Sequence, residues 1–129
     1  MVKILIVDDE PAFTNTYVMF LKRIKGLETF GALNSKDAFD ILKSQNPELL
    51  LIDLNLNESV KGLDILKHAL AQNPRLYILV TTGNMDGKIE EECLAAGAKV
   101  VIHKPVSLQD LQEKVSEGVA VAQATKEAL

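Results

Sequence analysis

The sequence predicts an α/β fold, an open doubly wound parallel sheet of five strands with helices on both faces, and two observations carry that prediction. Four short apolar runs, Ile4-Leu5-Ile6-Val7, Leu49-Leu50-Leu51-Ile52, Tyr77-Ile78-Leu79-Val80 and Val100-Val101-Ile102, are mostly β-branched or leucine and do not alternate with polar residues. Strands buried on both faces read this way, because each face needs apolar cover. Segments of helical period separate the runs, which implies right-handed crossovers between parallel strands.

Along the chain, the first run leads into a helix whose apolar stripe is Phe13, Tyr17, Phe20, Leu21 and Ile24. A weaker run over residues 29–33 contains Gly31 and reads as an edge or near-edge strand. Ser35 is the expected N-cap of the second helix, ahead of Ala38, Phe39, Ile41 and Leu42. Asn46-Pro47 closes that helix, and Asn73-Pro74 closes the third, whose stripe is Leu63, Leu66 and Leu70. Ser107 caps the last helix before Leu108, Leu111 and Val115, with Asp110 completing a box-like pattern. Residues 119–129 continue that helix. With no internal repeat, low-complexity stretch or linker, the reading is one domain over residues 1–129.

At 129 residues the chain can bury about two-thirds of the surface that its unfolded form exposes. Apolar residues make up 47% and charged residues 25%, which argues against disordered and fibrous classes. Eighteen acids against fourteen bases give a formal charge of −4 with no basic block, which disfavours direct nucleic-acid binding. The lone cysteine, Cys93, has no internal disulfide partner and no metal-ligand spacing. It reads as a small half-buried helix residue in a reducing compartment. No run reaches the roughly 18 apolar residues of a membrane span, and the first is too short for a signal sequence, so the expected location is cytoplasmic, away from membranes.

In open parallel sheets the ligand site lies beyond the carboxyl ends of the strands. Those ends carry Asp8-Asp9, Asp53, Thr81-Thr82 and His103-Lys104. Three carboxylates drawn from two strand ends repel one another, and a divalent cation is the natural resolution. An all-oxygen ligand set favours Mg²⁺ or Mn²⁺, with Asp8, Asp9, Asp53 and the backbone carbonyl of Asn55 as candidate ligands. A carboxylate beside such a cation is a nucleophile toward phosphorus, which makes Asp53 an aspartyl-phosphate candidate. The Lys104 ammonium and Thr82 hydroxyl supply donors for phosphoryl oxygens, and Gly83 leaves the approach open. Singly, each residue has an ordinary reading as a turn, cap or solvated strand end. Their joint occurrence at four strand ends points to chemistry.

The stretches Ile4-Leu5-Ile6-Val7-Asp8-Asp9-Glu10-Pro11, Leu50-Leu51-Ile52-Asp53-Leu54, Val80-Thr81-Thr82-Gly83 and Lys104-Pro105 resemble the motifs of response-regulator receiver domains over nearly the whole chain. The resemblance implies the flavodoxin-like strand order 2-1-3-4-5, a fold for which a member of this family is itself a standard illustration. It also implies Mg²⁺ held by Asp8 and Asp9, phosphoryl acceptance by Asp53, a switch hydroxyl on Thr82 rather than Thr81, and phosphate contact by Lys104. Asn55 and Asn84 are expected, by the same resemblance, to tune the lifetime of the phosphoryl group.

Three departures from the family pattern stand out. Val101 takes the place of the usual aromatic three residues before the lysine, and valine is too short and stiff to couple a hydroxyl movement outward in the same way. The segment over residues 55–62 lacks the usual proline and is one residue longer, which suggests a mobile loop or an unusual partner. Val106 stands where an aromatic commonly follows Lys-Pro. His103 falls on the face opposite Lys104 by strand alternation and reads as an ordinary strand-end histidine. His68 reads as a solvated helix residue, and Glu90-Glu91-Glu92 as an exposed face.

The function expected from the resemblance is a phosphorelay receiver that catalyses only its own phosphorylation and dephosphorylation. Its donor is a sensor histidine kinase or phosphotransfer protein, or a small acyl phosphate, and its reader is a downstream effector protein or output domain. Two other classes compete. A haloacid-dehalogenase-like phosphatase also uses a strand-end aspartyl nucleophile, but it wants a second Asp where this chain has Asn55, and a cap segment. A docking module that works without phosphorylation is favoured by Val101 and the altered loop, and opposed by retention of Asp8, Asp9, Asp53, Thr82 and Lys104.

Overall fold

Runs that are apolar on both faces demand cover from both sides, and the layers are arranged accordingly. In the computed structural model, which describes residues 1–128, the strands are β1 (Val2–Val7), β2 (Leu27–Ala32), β3 (Leu49–Asp53), β4 (Tyr77–Thr82) and β5 (Val100–His103). All pair in parallel, in the order β2-β1-β3-β4-β5. The helices are α1 (Pro11–Leu21), α2 (Ser35–Gln45), α3 (Gly62–Gln72), α4 (Gly87–Ala96) and α5 (Leu108–Ala128). The expected class, strand order and edge position of β2 are all observed. Leu129, the end of the expected helix continuation, lies outside the described residues.

Strand alternation sorts the apolar side chains into two cores. Leu5, Val7, Leu50, Ile52, Ile78 and Val80 face α2, α3 and α4. Ile4, Ile6, Leu49, Leu51 and Leu79 face α1 and α5. Because neither face is solvated, a one-residue slip of a central strand would exchange one core for the other, so the register is set by the two helix layers together.

Several local expectations are corrected. The N-cap of α2 is Asn34, not Ser35: its side chain accepts from the Asp37 N–H at 2.8 Å. Ser35 occupies the first helical position instead, and its N–H is taken by the Glu58 carboxylate at 2.9 Å. On α1 the buried residues are Thr14, Tyr17 and Leu21, while Phe13 is 38% exposed and Ile24 lies past the helix end. Cys93 is fully buried rather than half-buried, and burial pushes its thiol pKa up. Ser107 does cap α5, accepting from the Asp110 N–H at 3.2 Å. Asn46 ends α2 in the left-handed region with φ 47°, just before Pro47. His68 is exposed, as expected, with its ring edge-on to Phe39.

The segment between β3 and α3, expected to be a mobile loop or to meet an unusual partner, makes several contacts within the chain. Leu56 is buried in the core, and Lys61 Nζ donates to its carbonyl at 3.1 Å. The Asn57 N–H donates to Asp9 at 2.7 Å, and Asp64 accepts from the Lys61 N–H at 3.0 Å at the head of α3. The extra length is folded inward around Leu56.

This loop closes on Gly62, whose missing side chain is a packing requirement. A Cβ there would overlap the Asp53 carbonyl oxygen and stand 2.7 Å from Leu54 Cα, and backbone cannot rotate away as a flexible side chain could. Gly62→Ala is therefore expected to lower unfolding free energy by about 2 kcal/mol or more, since overpacking against backbone is among the costlier single changes. Urea denaturation would measure it. A loss below about 0.5 kcal/mol would mean that the loop relaxes freely.

Candidate functional site

Parallel strands all end on the same edge of the sheet, so the residues that follow them meet there. Asp8 follows β1, Asp53 ends β3, Thr82 ends β4 and Lys104 follows β5. One oxygen from each of Asp8, Asp9 and Asp53 lies within 4.8 Å of the others. Asp8 and Asp53 are buried and Asp9 is half-buried.

Each acid is held by its neighbourhood. The Glu10 N–H donates to Asp8 Oδ1 at 3.0 Å, and the Asn55 N–H donates to Asp53 Oδ1 at 3.1 Å. Lys104 Nζ donates to Asp53 Oδ2 at 3.0 Å and reaches Asp8 Oδ2 at 3.4 Å. Asp9 ties to the loop after β3 as well, accepting from the Asn57 N–H at 2.7 Å.

Burial raises the Asp8 pKa above its ordinary value, the Glu10 N–H opposes that rise, the charge of Asp53 adds to it and Lys104 partly offsets it. Burial works to lower the pKa of Lys104, but the hydrogen bond and charge of Asp53, with Asp8 behind them, outweigh it and the net shift is upward. The ammonium therefore stays charged at neutral pH. One ammonium faces three carboxyl groups, so negative charge is in excess, and an all-oxygen set of this spacing fits a hard divalent cation.

Thr82 is buried, and its hydroxyl accepts from the Asn84 N–H at 3.0 Å. It lines a cavity of about 150 Å³ with Leu54, Asn55 and Asn84. Among the described residues it makes no hydrogen bond to Asp53. Thr81, on the opposite face of β4, is equally buried and pairs in register with Asp53. Gly83 has open space where a side chain would stand. His103 points away from Lys104 as expected, with Nε2 3.0 Å from Glu90 Oε1 on α4.

Three contributors escaped the sequence reading. Thr14 donates its hydroxyl to the Asp8 carbonyl at 2.6 Å and so fixes the end of β1 against α1. A polar residue on the buried side of an amphipathic helix is the signal that marks it. Leu56, an apolar residue in a polar loop, carries a similar mark. Phe13 sits with its ring centroid 4.8 Å from Lys104 Nζ, and its counting within the apolar stripe of α1 concealed that position.

A family model described as "Response regulator receiver domain" matches residues 4–116. The chain is 35% identical over 116 residues to the response regulator protein PilR of Pseudomonas aeruginosa, covering 88% of this chain and 25% of that protein. It is 29% identical over 117 residues to sporulation initiation phosphotransferase F of Bacillus subtilis, covering 89% and 91% respectively. Among solved structures, a CheY-like response regulator receiver domain protein of Methanospirillum hungatei matches with a TM-score of 0.87 and 27% identity, covering 97% of this chain and 98% of that one. The chain spans between 25% and 54% of the length of the first four curated relatives that it matches.

The Asp8 shift gives a signed expectation. A carboxyl whose folded-state pKa is raised holds its proton more tightly in the folded than in the unfolded chain, so its ionised form costs stability. The cost sets in as pH rises from the ordinary carboxylate range through the raised value, and is full above it. Asp8→Asn should therefore raise the thermal midpoint at pH 7, with the difference shrinking as pH falls toward about 4. Thermal melts across that range check it, and a destabilised variant at pH 7 would show that charge pairing with Lys104 outweighs burial.

Proposed function

The chain belongs to the response regulator receiver family, and from that membership we propose that Asp53 accepts a phosphoryl group and that the segment following Thr82 transmits its arrival. The family makes it a receiver domain of two-component response regulators. One observation carries the assignment to Asp53: its carboxylate is buried between an N–H and an ammonium, with two further acids alongside.

Asp8, Asp9 and Asp53, with the Asn55 carbonyl, would hold Mg²⁺, and Mn²⁺ fits the same donors. When bound, such an ion screens the negative charge of the incoming phosphoryl group and orients it. The Asn55 N–H fixes the plane of the Asp53 carboxylate. A carboxylate oxygen forms the new bond to phosphorus as the P–N bond of a donor phosphohistidine, or the P–O bond of a small acyl phosphate, breaks and its electron pair leaves with the donor. Water later attacks phosphorus, the bond to Asp53 breaks, and carboxylate and inorganic phosphate are released. The domain thus modifies and resets itself without steady turnover of an external substrate.

Lys104 exchanges its bond to the carboxylate for one to a phosphoryl oxygen. The Thr82 hydroxyl now only accepts, so its own proton is available to a second phosphoryl oxygen. Moving Thr82 pulls on a short chain of bonds: Asn84 N–H to Thr82, Asp86 N–H to Asn84 at 2.8 Å, and Lys88 N–H to Asp86 at 2.9 Å. Asp86 caps α4, so the pull ends at the head of that helix. The contact of Glu90 with His103 ties the same turn to β5. Val101, partly buried against the core, supplies no aromatic lever, so this chain of side-chain-to-backbone bonds is our route for the signal.

The donor is a histidine kinase or phosphotransfer protein, and the reader an effector protein or output domain. The cytoplasm is the compartment that suits a free thiol. Among the described residues no helix is long and apolar enough to cross a membrane. The phosphatase and docking-only alternatives are not favoured beside the family match.

Intact-protein mass after incubation with Mg²⁺ and acetyl phosphate tests the assignment. A single phosphoryl adduct is expected, lost with EDTA and absent from Asp53→Asn. No adduct, with phosphoramidate as well, would overturn the acceptor role.

A further inference from the structure

Phe13 is 38% exposed, an unusual placement for a large aromatic at the rim of a charged site. Its ring stacks against Tyr17, with centroids 6.1 Å apart and planes 17° from parallel. Tyr17 is itself buried, which limits where the stacked ring of Phe13 can go. The Lys104 ammonium lies over the Phe13 ring, 4.8 Å from its centroid, inside the range in which a ring quadrupole attracts a cation. Two carboxylates and one aromatic face therefore meet the ammonium. Lys104 is left 21% exposed at the end of a flexible stem.

We propose that Phe13 is a positioning residue for the phosphoryl-acceptor reaction, holding the Lys104 ammonium over Asp53 through its ring face. The inference rests on the acceptor reading of Asp53. Lysine is a compact, strongly hydrated charge on four rotatable bonds, and nothing in its own geometry keeps it in place when its partner changes. During transfer the carboxylate that anchors it becomes an acyl phosphate, and the negative charge moves outward onto the phosphoryl oxygens. Among the described residues the ammonium keeps two contacts that this chemistry does not modify. One is the longer contact to Asp8 at 3.4 Å, a carboxylate that the divalent cation would share. The other is the ring, which no other charge claims and which keeps the ammonium within reach of the phosphoryl oxygens as they arrive. An apolar residue of similar size would fill the space without attracting the cation.

The test uses acetyl phosphate as donor, which separates positioning from any role of Phe13 in docking a protein partner. Adduct formation by intact mass is compared in the native chain, Phe13→Leu and Phe13→Trp, with Mg²⁺ present. Phe13→Leu should slow it about threefold to tenfold, the scale of a partly shielded cation–ring contact, and Phe13→Trp should restore it to within about twofold of native. A second readout is independent of the reaction: the Lys104 ε-methylene protons should be shifted upfield by the ring in the native and Trp proteins, and return to ordinary lysine positions in Phe13→Leu. Equal rates in all three proteins would overturn the proposal, as would slowing in Leu and Trp alike or an unshifted Lys104 in the native chain. If the native chain takes no phosphoryl group, the acceptor reading fails and the positioning role falls with it. If the native chain reacts while Phe13→Leu matches it, only the role of Phe13 is lost.

Discussion

Asp8, Asp9 and Asp53 gather negative charge at the end of an apolar sheet, and the single ammonium of Lys104 faces them. Much of what surrounds the site follows from that imbalance. Backbone N–H groups of Glu10, Asn55 and Asn57 point at the three acids, one each, and add partial positive charge to that of Lys104. Two of those donors lie in the loop after β3, so the acids also set the path of that loop. Burial nonetheless keeps the Asp8 pKa raised, and the cluster remains costly to ionise fully without a further cation. A site that is strained by its own charge is one whose energy changes most when charge is added or removed, which is what a phosphorylation switch requires.

The packing explains how such a site stays rigid. β1 and β3 are central strands covered by helices on both faces, so the acids project from the best-buried part of the molecule. The far end of α5 is joined to the opposite edge of the sheet through Lys126 and Glu48, well away from the site. The segment over residues 83–88 differs: it is exposed and held by the serial side-chain-to-backbone bonds that begin at Thr82. A rigid acid cluster beside a lightly held segment allows local chemistry to move one helix terminus without disturbing the core.

Much of this was legible in the sequence because burial leaves a periodic mark. Non-alternating runs identified the central strands, and their terminal residues identified the acids and the lysine, since architecture rather than composition brings strand ends together. The strand order came with the family resemblance, because no local pattern records which parallel strands are neighbours. Ser35 read as the cap because serine suits that position, but asparagine suits it as well. The helix starts one residue earlier than expected, with Asn34 accepting from the Asp37 N–H and Glu58, far along the chain, accepting from the Ser35 N–H. The loop over residues 55–62 read as mobile or as meeting an unusual partner because it lacks the family's proline and is longer, and neither mark records the inward turn of Leu56. Phe13 read as core because periodicity reports a helix face but not the charge that later folds onto it.

Amide-resolved NMR of the Mg²⁺-loaded chain, before and after acetyl phosphate, tests most directly the claim that charge added at Asp53 is read at the head of α4. The account predicts changes at Asp53, Thr82 and Lys104 that continue through residues 83–90, while residues near Gly26 and Asn46, at the other end of the sheet, stay where they were. Changes confined to Asp53 and Lys104, with Thr82 and residues 83–90 unmoved, would contradict it.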